Sequence, residues 1–201
     1  MNSRVILVSD DRSSLRSPDT LLWPDAACMR GIHTGEWTAH IFEYAMSFEG
    51  NMTQVRELAA ANGVGVLHPH GALATDPPGL IVCDVDSTVT RTEAIDLLAE
   101  CAGKADEIRG ITARAMAGEL DFTQSLYARV RCLEGLHIGA LEEAWKATVI
   151  TPGTAELVAA AHDVGAAVGL VSGGFTAIVD PLAEQIRADF AASNELEIVD
   201  N

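Results

Sequence analysis

The chain has 201 residues, 48% of them hydrophobic, which is enough for one good-sized domain or a small domain joined to a medium one. Its 13 Lys and Arg face 29 Asp and Glu, a formal net charge of −16, and this argues against nucleic acid and anionic membranes as partners, since both need a basic face that releases counterions. An anionic small-molecule substrate would need locally placed positive groups or a metal ion.

From the N-terminus, the apolar and aromatic run HIFEYAMSF (His40–Phe48) precedes a predicted helix over Asn51–Asn62, closed by Gly63, and a short strand over Val64–Leu67. Together these read as a small βαβ-like unit. The stretch HPHGALATDPPG (His68–Gly79) is rich in turn formers, and Pro77-Pro78 blocks both helix and central strand. A small α+β module is therefore predicted over 1–70, a linker over 71–79 and a larger α/β domain over 80–201. The continuous apolar run Leu80–Cys83 predicts a strand buried on both faces of a parallel sheet. Four helices follow at about 92–102, 104–117, 121–134 and 139–148, punctuated by Gly103, Gly118 and Gly135, and form a helical insertion over about 92–150. Next come a helix opened by Pro152, a buried strand in AAVGLVS and a helix containing Pro181, where a new helix start or a kink is expected. Asp189–Ser193 reads as a third parallel strand and Glu195–Val199 as the first arm of a hairpin.

Cys28, Cys83, Cys101 and Cys132 show no CxxC or CxxH spacing, which argues against a zinc site or a disulfide framework and fits reduced thiols. No apolar leader follows Met1–Leu7, and no run of about 18 uncharged apolar residues occurs. A soluble, unexported, cytoplasmic chain is the expectation.

Chemistry concentrates at two strand ends. DVDST (Asp84–Thr88) directly follows Leu80–Cys83, and open parallel sheets bind ligands outside the carboxyl ends of their strands. Asp84 and Asp86 can reach one pocket, and two such carboxylates are tolerated where a divalent cation lies between them; hard oxygen ligands select Mg²⁺. Acids at a strand end also serve as ordinary turn and capping residues. Ser172-Gly173-Gly174 lies at the end of the second buried strand, before a helix beginning near Phe175. Small residues there let backbone amides approach a phosphoryl oxygen, and the helix dipole favours the anion.

The segments DVDSTVTRTEAIDLLAECAG, RAMAGELDFTQSLYARVRCLEGL, LVSGGFTAIVDPLAEQI and NELEIVD, together covering most of the chain from Gly79 onward, resemble the phosphoserine phosphatases of the haloacid-dehalogenase superfamily. The resemblance implies a Rossmannoid parallel-sheet core with a four-helix cap inserted in it. It implies hydrolysis of O-phospho-L-serine through an aspartyl-phosphate, with Asp84 as nucleophile and Asp86 as acid and then base. The Asp84 carboxylate and the Asp86 main-chain carbonyl match two Mg²⁺ ligands, and Ser172 and Gly173 the phosphoryl-binding hydroxyl and amide. In the cap, Glu93 matches the group that holds the substrate ammonium, Arg129 the one that grips its carboxylate, and Met116 and Phe122 the apolar groups that exclude water. The segment before about His70 resembles the ACT-like regulatory modules that precede some of these enzymes.

The family's later lysine and GDGxND-type acidic loop have no counterpart in these 201 residues: the lysines are Lys104 and Lys146, and no GDxxxD follows Phe175. The chain therefore reads as C-terminally shortened and is expected to bind Mg²⁺ and phosphate poorly and to turn over slowly or not at all. Its Leu80–Cys83 strand would lie at an exposed edge, an invitation to self-association. A related phosphotransferase and a non-catalytic, amino-acid-binding regulatory protein are the two competing functions.

Overall fold

In the computed structural model, residues 3–9, 28–33, 38–44, 52–69 and 71–199 are described. The chain divides into two compact units, Met1–Pro77 and Pro78–Asn201.

The first unit contains β1 (Ser3–Ser9), β2 (Cys28–His33), β3 (Thr38–Tyr44), α1 (Met52–Ala61) and β4 (Gly65–Leu67). The sheet order is β2-β3-β1-β4, with every neighbouring pair antiparallel. In β1, Val5, Leu7 and Ser9 are buried while Ile6 and Val8 are half-buried, the period of two expected of a strand with one face covered. The βαβ-like reading of β3, α1 and β4 becomes a split unit, because β1 inserts between the two strands. Neither β1 nor β2 is among the sequence-derived elements, although SRVILVS carries the signal in its β-branched and apolar residues.

The second unit is built on a parallel sheet of β5 (Leu80–Cys83), β6 (Ala167–Phe175) and β7 (Phe190–Asn194), in the order β5-β6-β7. Helices α6 (Thr154–Asp163) and α7 (Thr176–Ile186) pack on it. Val158, Val168, Leu170, Val179, Leu182 and Ile186 form the centre of the core. In the middle strand, Gly169 lies under the ring of Phe190: a Cβ at Gly169 would meet the ring at 1.9 Å, so this close approach needs glycine.

Three sequence expectations change here. Leu80 and Val82 are each 52% exposed rather than buried on both faces. Among the described residues β5 pairs only with β6, so Ile81 and Cys83 turn to the core while the alternate side chains meet no covering layer. The helix containing Pro181 runs from Thr176 to Ile186, so of the two expected outcomes a new start at the proline is excluded; proline there removes the N–H that would bond Ala177 O and crowds that carbonyl. Glu195–Val199 forms no strand.

Between β5 and α6 lies the helical insertion: α2 (Ala94–Cys101), α3 (Ala105–Met116), α4 (Phe122–Arg131) and α5 (Gly139–Ala147). Its core joins Ile95, Leu98, Ile108 and Ala144 to Phe175 and Ile178 of the sheet side. Helix α4 opens with a capping box, in which Gln124 N–H donates to Asp121 Oδ1 at 2.8 Å and Asp121 N–H to Gln124 Oε1 at 3.1 Å. The insertion leaves and rejoins the sheet through two crossing segments held side by side. Arg91 N–H donates to Val149 O at 2.7 Å, Thr151 N–H to Val89 O at 2.9 Å, and the Thr151 hydroxyl to Thr88 O at 2.8 Å. Such a two-segment neck fixes where the insertion sits over the strand ends.

Candidate active site

The turn after β5 carries the acids. Asp86 has extended backbone angles, Ser87 is left-handed at φ 57°, and Thr90 closes the turn with its N–H on Val85 O at 2.9 Å. A non-glycine residue in the left-handed region is uncommon and persists only where its surroundings hold it. Here the Ser87 hydroxyl donates to Glu93 Oε1 at 3.1 Å, tying the turn to the residue that starts α2. Asp84 is exposed, and its Oδ2 accepts from the Thr88 hydroxyl at 3.2 Å.

Asp86 has other partners. Its Oδ1 accepts the Ala94 amide at 2.9 Å, at the N-terminus of α2, and its Oδ2 lies 3.5 Å from the Ser172 hydroxyl. Burial raises the Asp86 pKa above the ordinary carboxylate value; the Ala94 N–H works against this, and the negative charges of Glu93 and Asp84 add to it. Glu93 makes no capping bond to α2; Asp86 takes that amide instead.

The second strand end supplies the small-residue loop. Gly174 N–H donates to Ser172 Oγ at 2.8 Å. A Cβ at Gly174 would lie 3.0 Å from both Asp86 Oδ2 and Ser172 Oγ, so glycine is what allows this loop and the acidic turn to meet. The insertion reaches the same place: a Cβ at Gly173 would touch the Phe122 ring at 3.4 Å, and Phe122 is itself exposed. Helical spacing sets Ser125 and Arg129 on the same face of α4 as Phe122, and Arg129 Nε donates to Ser125 O at 3.3 Å. Met116, at the end of α3, is 86% exposed.

The structure thus gathers Asp84, Asp86, Glu93, Ser172, Gly173 and Phe122 around the ends of β5 and β6. Arg129 enters only through its helix face, and for Met116 the sole finding is exposure. Sequence reasoning assigned no role to Ser87, Thr88 or Asn194. The signal for the first two lies in DVDST itself, since hydroxyl residues just after paired acids are placed to bond them. Among the described residues no group of three His, Cys, Asp or Glu is placed to hold a metal. A hard divalent cation can be bound through one or two carboxylates plus water and phosphate, and the oxygens of the Asp84–Asp86 turn fit that pattern.

Comparison with known proteins gives the family. The haloacid dehalogenase-like hydrolase family matches residues 78–200. A phosphoserine phosphatase of Streptomyces coelicolor is 46% identical over 142 residues, 71% of this chain and 35% of that protein. One of Lactococcus lactis is 46% identical over 120 residues, 60% of this chain and 56% of that protein. The chain thus spans between about a third and about half the length of these relatives. Among solved structures, a probable phosphoserine phosphatase of Vibrio cholerae superposes with a TM-score of 0.72 at 31% identity, covering 98% of this chain and 60% of that one. A phospho-aspartyl intermediate analogue of a phosphoserine phosphatase matches at TM-score 0.58 and 38% identity, over 62% and 60% of the two chains. With two acids at one strand end, a Ser-Gly-Gly loop at the next and a family match across both, the chain belongs to the haloacid dehalogenase-like hydrolases.

Proposed function

We propose that these residues carry the nucleophilic half of a phosphoserine phosphatase. The observation that carries the reading is the meeting of Asp86 with Ser172, 3.5 Å apart, which sets the acidic turn against the Ser-Gly-Gly loop. Asp84, with Oδ2 engaged by Thr88, attacks phosphorus through Oδ1; the bond from phosphorus to the seryl oxygen breaks, and Asp86 delivers its proton to that oxygen. Asp86 then takes a proton from water as the water oxygen attacks phosphorus and releases Asp84. A cation held by the Asp84 carboxylate and the Asp86 carbonyl would neutralise charge on the transferring group, and Mg²⁺ suits that oxygen set. Ser172 and the Gly173 amide bind the phosphoryl oxygens. The insertion acts as a cap in which Glu93 takes the substrate ammonium, Arg129 its carboxylate, and Met116 and Phe122 exclude water.

The strand order β4-β1-β3-β2 is that of ferredoxin-like sheets, which supports an ACT-like reading of the first unit. No helix among the described residues is long and apolar enough to cross a membrane, and Cys83, Cys101 and Cys132 are free, in keeping with a cytoplasmic setting. An exposed apolar β5 edge is the surface on which a homo-oligomer would form.

A related phosphotransferase and a non-catalytic, amino-acid-binding regulatory protein are the competing readings; the lysines pair on the surface of the insertion, Lys104 with Glu107 at 3.0 Å and Lys146 with Glu142 at 2.6 Å. Phosphate release from phosphoserine with Mg²⁺, run with and without an acceptor alcohol, separates the readings. Hydrolysis that disappears in both Asp84→Asn and Asp86→Asn supports the phosphatase; a phosphorylated alcohol marks a phosphotransferase. A chain that binds L-serine but releases no phosphate is the regulatory protein.

A further inference from the structure

We propose that Asn194 is a positioning residue for the phosphoryl-binding loop, an inference that rests on the phosphoryl-transfer reading above. The β6–β7 ladder runs in register up to Val171 opposite Ala192 and resumes with Phe175 opposite Asn194. Strand β6 therefore bulges over Ser172–Gly174, and a bulge leaves main-chain groups without ladder partners. Asn194 fills that gap with its side chain: Nδ2 donates to Gly173 O at 2.9 Å and reaches Gly174 O at 3.4 Å.

The consequence follows from the planarity of the peptide unit. Gly173 O and Gly174 N belong to one rigid plane, held by Asn194 at the oxygen and by Ser172 Oγ at the nitrogen. A Gly-Gly peptide has the widest backbone freedom of any and can turn over at little steric cost. Turning it over would detach the Ser172 hydroxyl from its Gly174 anchor and point a carbonyl oxygen where the N–H had been, a poor face for an anion. The donor on Asn194 opposes that rotation by keeping the carbonyl occupied on the β7 side. Ser172 is then held with its hydroxyl toward Asp86, and the adjoining Gly173 amide, the proposed phosphoryl donor, keeps its direction. Asn194 need not touch substrate to do this.

The test is a titration of inorganic phosphate into the ¹⁵N-labelled chain, followed at the Gly173 and Gly174 amides, in the parent and in Asn194→Leu and Asn194→Asp. Both substitutions keep the branched four-atom skeleton of the Asn side chain and remove the donor, and leucine does so without adding charge. The parent amides should shift saturably, with phosphate binding weakened about tenfold in Asn194→Leu and further in Asn194→Asp, while amides of α6 keep their positions. Faster hydrogen exchange at Gly174 should accompany the loss. A role in packing alone predicts that leucine is harmless, so unchanged phosphate binding and unchanged Gly174 exchange in either folded variant overturns the inference and leaves the phosphoryl-transfer reading standing. Parent amides that ignore phosphate overturn both.

Discussion

The Ala94 amide donates to the Asp86 carboxylate at 2.9 Å, so the first helix of the insertion begins on an acid that belongs to the sheet. One side chain thereby links the turn after β5, the Ser-Gly-Gly bulge near the end of β6 and the start of α2. In a metal-free state it does so at a cost, because burial and two neighbouring carboxylates oppose its charge.

That opposition sets a pH dependence. A carboxyl whose pKa is raised on folding holds its proton more tightly in the native state, so stability falls as pH rises from the ordinary value of 3.8 through the raised one. Asp86→Asn keeps an oxygen to accept the Ala94 amide and carries no charge. In metal-free buffer it should melt higher than the parent by a few degrees at neutral pH, with the gap closing toward pH 4 or below. Phosphoserine turnover, where the parent shows it, should fall by about a hundredfold or more in the same variant, the usual range for losing a general acid and base. Paired melting curves at several pH values check the first half; a variant that melts lower than the parent at neutral pH contradicts it.

Gly174 offers a steric test of the same junction. A methyl group there would press on Asp86 Oδ2 and Ser172 Oγ at 3.0 Å, and one of them must retreat. Gly174→Ala should cost about 1–3 kcal/mol in urea unfolding. Gly173→Ala meets only the Phe122 ring at 3.4 Å, an ordinary contact, and should cost under about 1 kcal/mol. Equal losses in the two would mean that the close approach at Gly174 is not what the loop depends on.

The pairing of strand ends was legible in the residues because the chemistry is local: DVDST and SGG each sit where an apolar run stops. Helices α2 to α5 were legible for a similar reason, since glycines at 103, 118 and 135 mark their ends with positive φ. Strand β5 was misread on its outward face, as an apolar run reports what a sheet can bury and not which neighbours are there to cover it. Asn194 was illegible because its role depends on a register shift between two strands, and no spacing in one strand encodes the bulge in its neighbour. The Ser87–Glu93 bond needed the left-handed turn to be seen first.

The neck of the insertion contains a buried hydroxyl. Thr90 is 2% exposed, and its Oγ1 lies 2.8 Å from Thr92 O and 3.1 Å from Val85 O. Thr90→Val preserves the shape and removes the donor from a dry site, at a cost of about 1–2 kcal/mol. The Thr151 hydroxyl, donating to Thr88 O at 2.8 Å, is more open to water, which replaces it readily, so Thr151→Val should cost about 0.5 kcal/mol or less. Urea denaturation of both variants gives the ordering directly, and a larger loss at Thr151 would place the structural anchor of the neck on its return segment.

A separate clasp governs the acid side of stability. Asp189, just before β7, accepts the Val168 amide at 2.6 Å and lies 3.0 Å from His162 Nε2, joining α6 to the sheet. The Val168 N–H, then His162, hold its pKa below the ordinary value of 3.8. A carboxyl lowered in this way stabilises the fold above its unfolded value, and that contribution disappears as pH falls through the lowered one. Because the group is open to solvent, screening keeps the effect small and salt-sensitive. Asp189→Asn should therefore lower the melting temperature modestly at pH 6, and the two curves should converge only once the pH has fallen below the lowered value, where both side chains are neutral. His162→Gln should reproduce only part of the difference, because the Val168 amide still donates to Asp189 in that variant. Were Asp189→Asn to track the parent at every pH, the Val168 contact would be holding a neutral carboxyl, and acid lability would have to originate elsewhere in the unit.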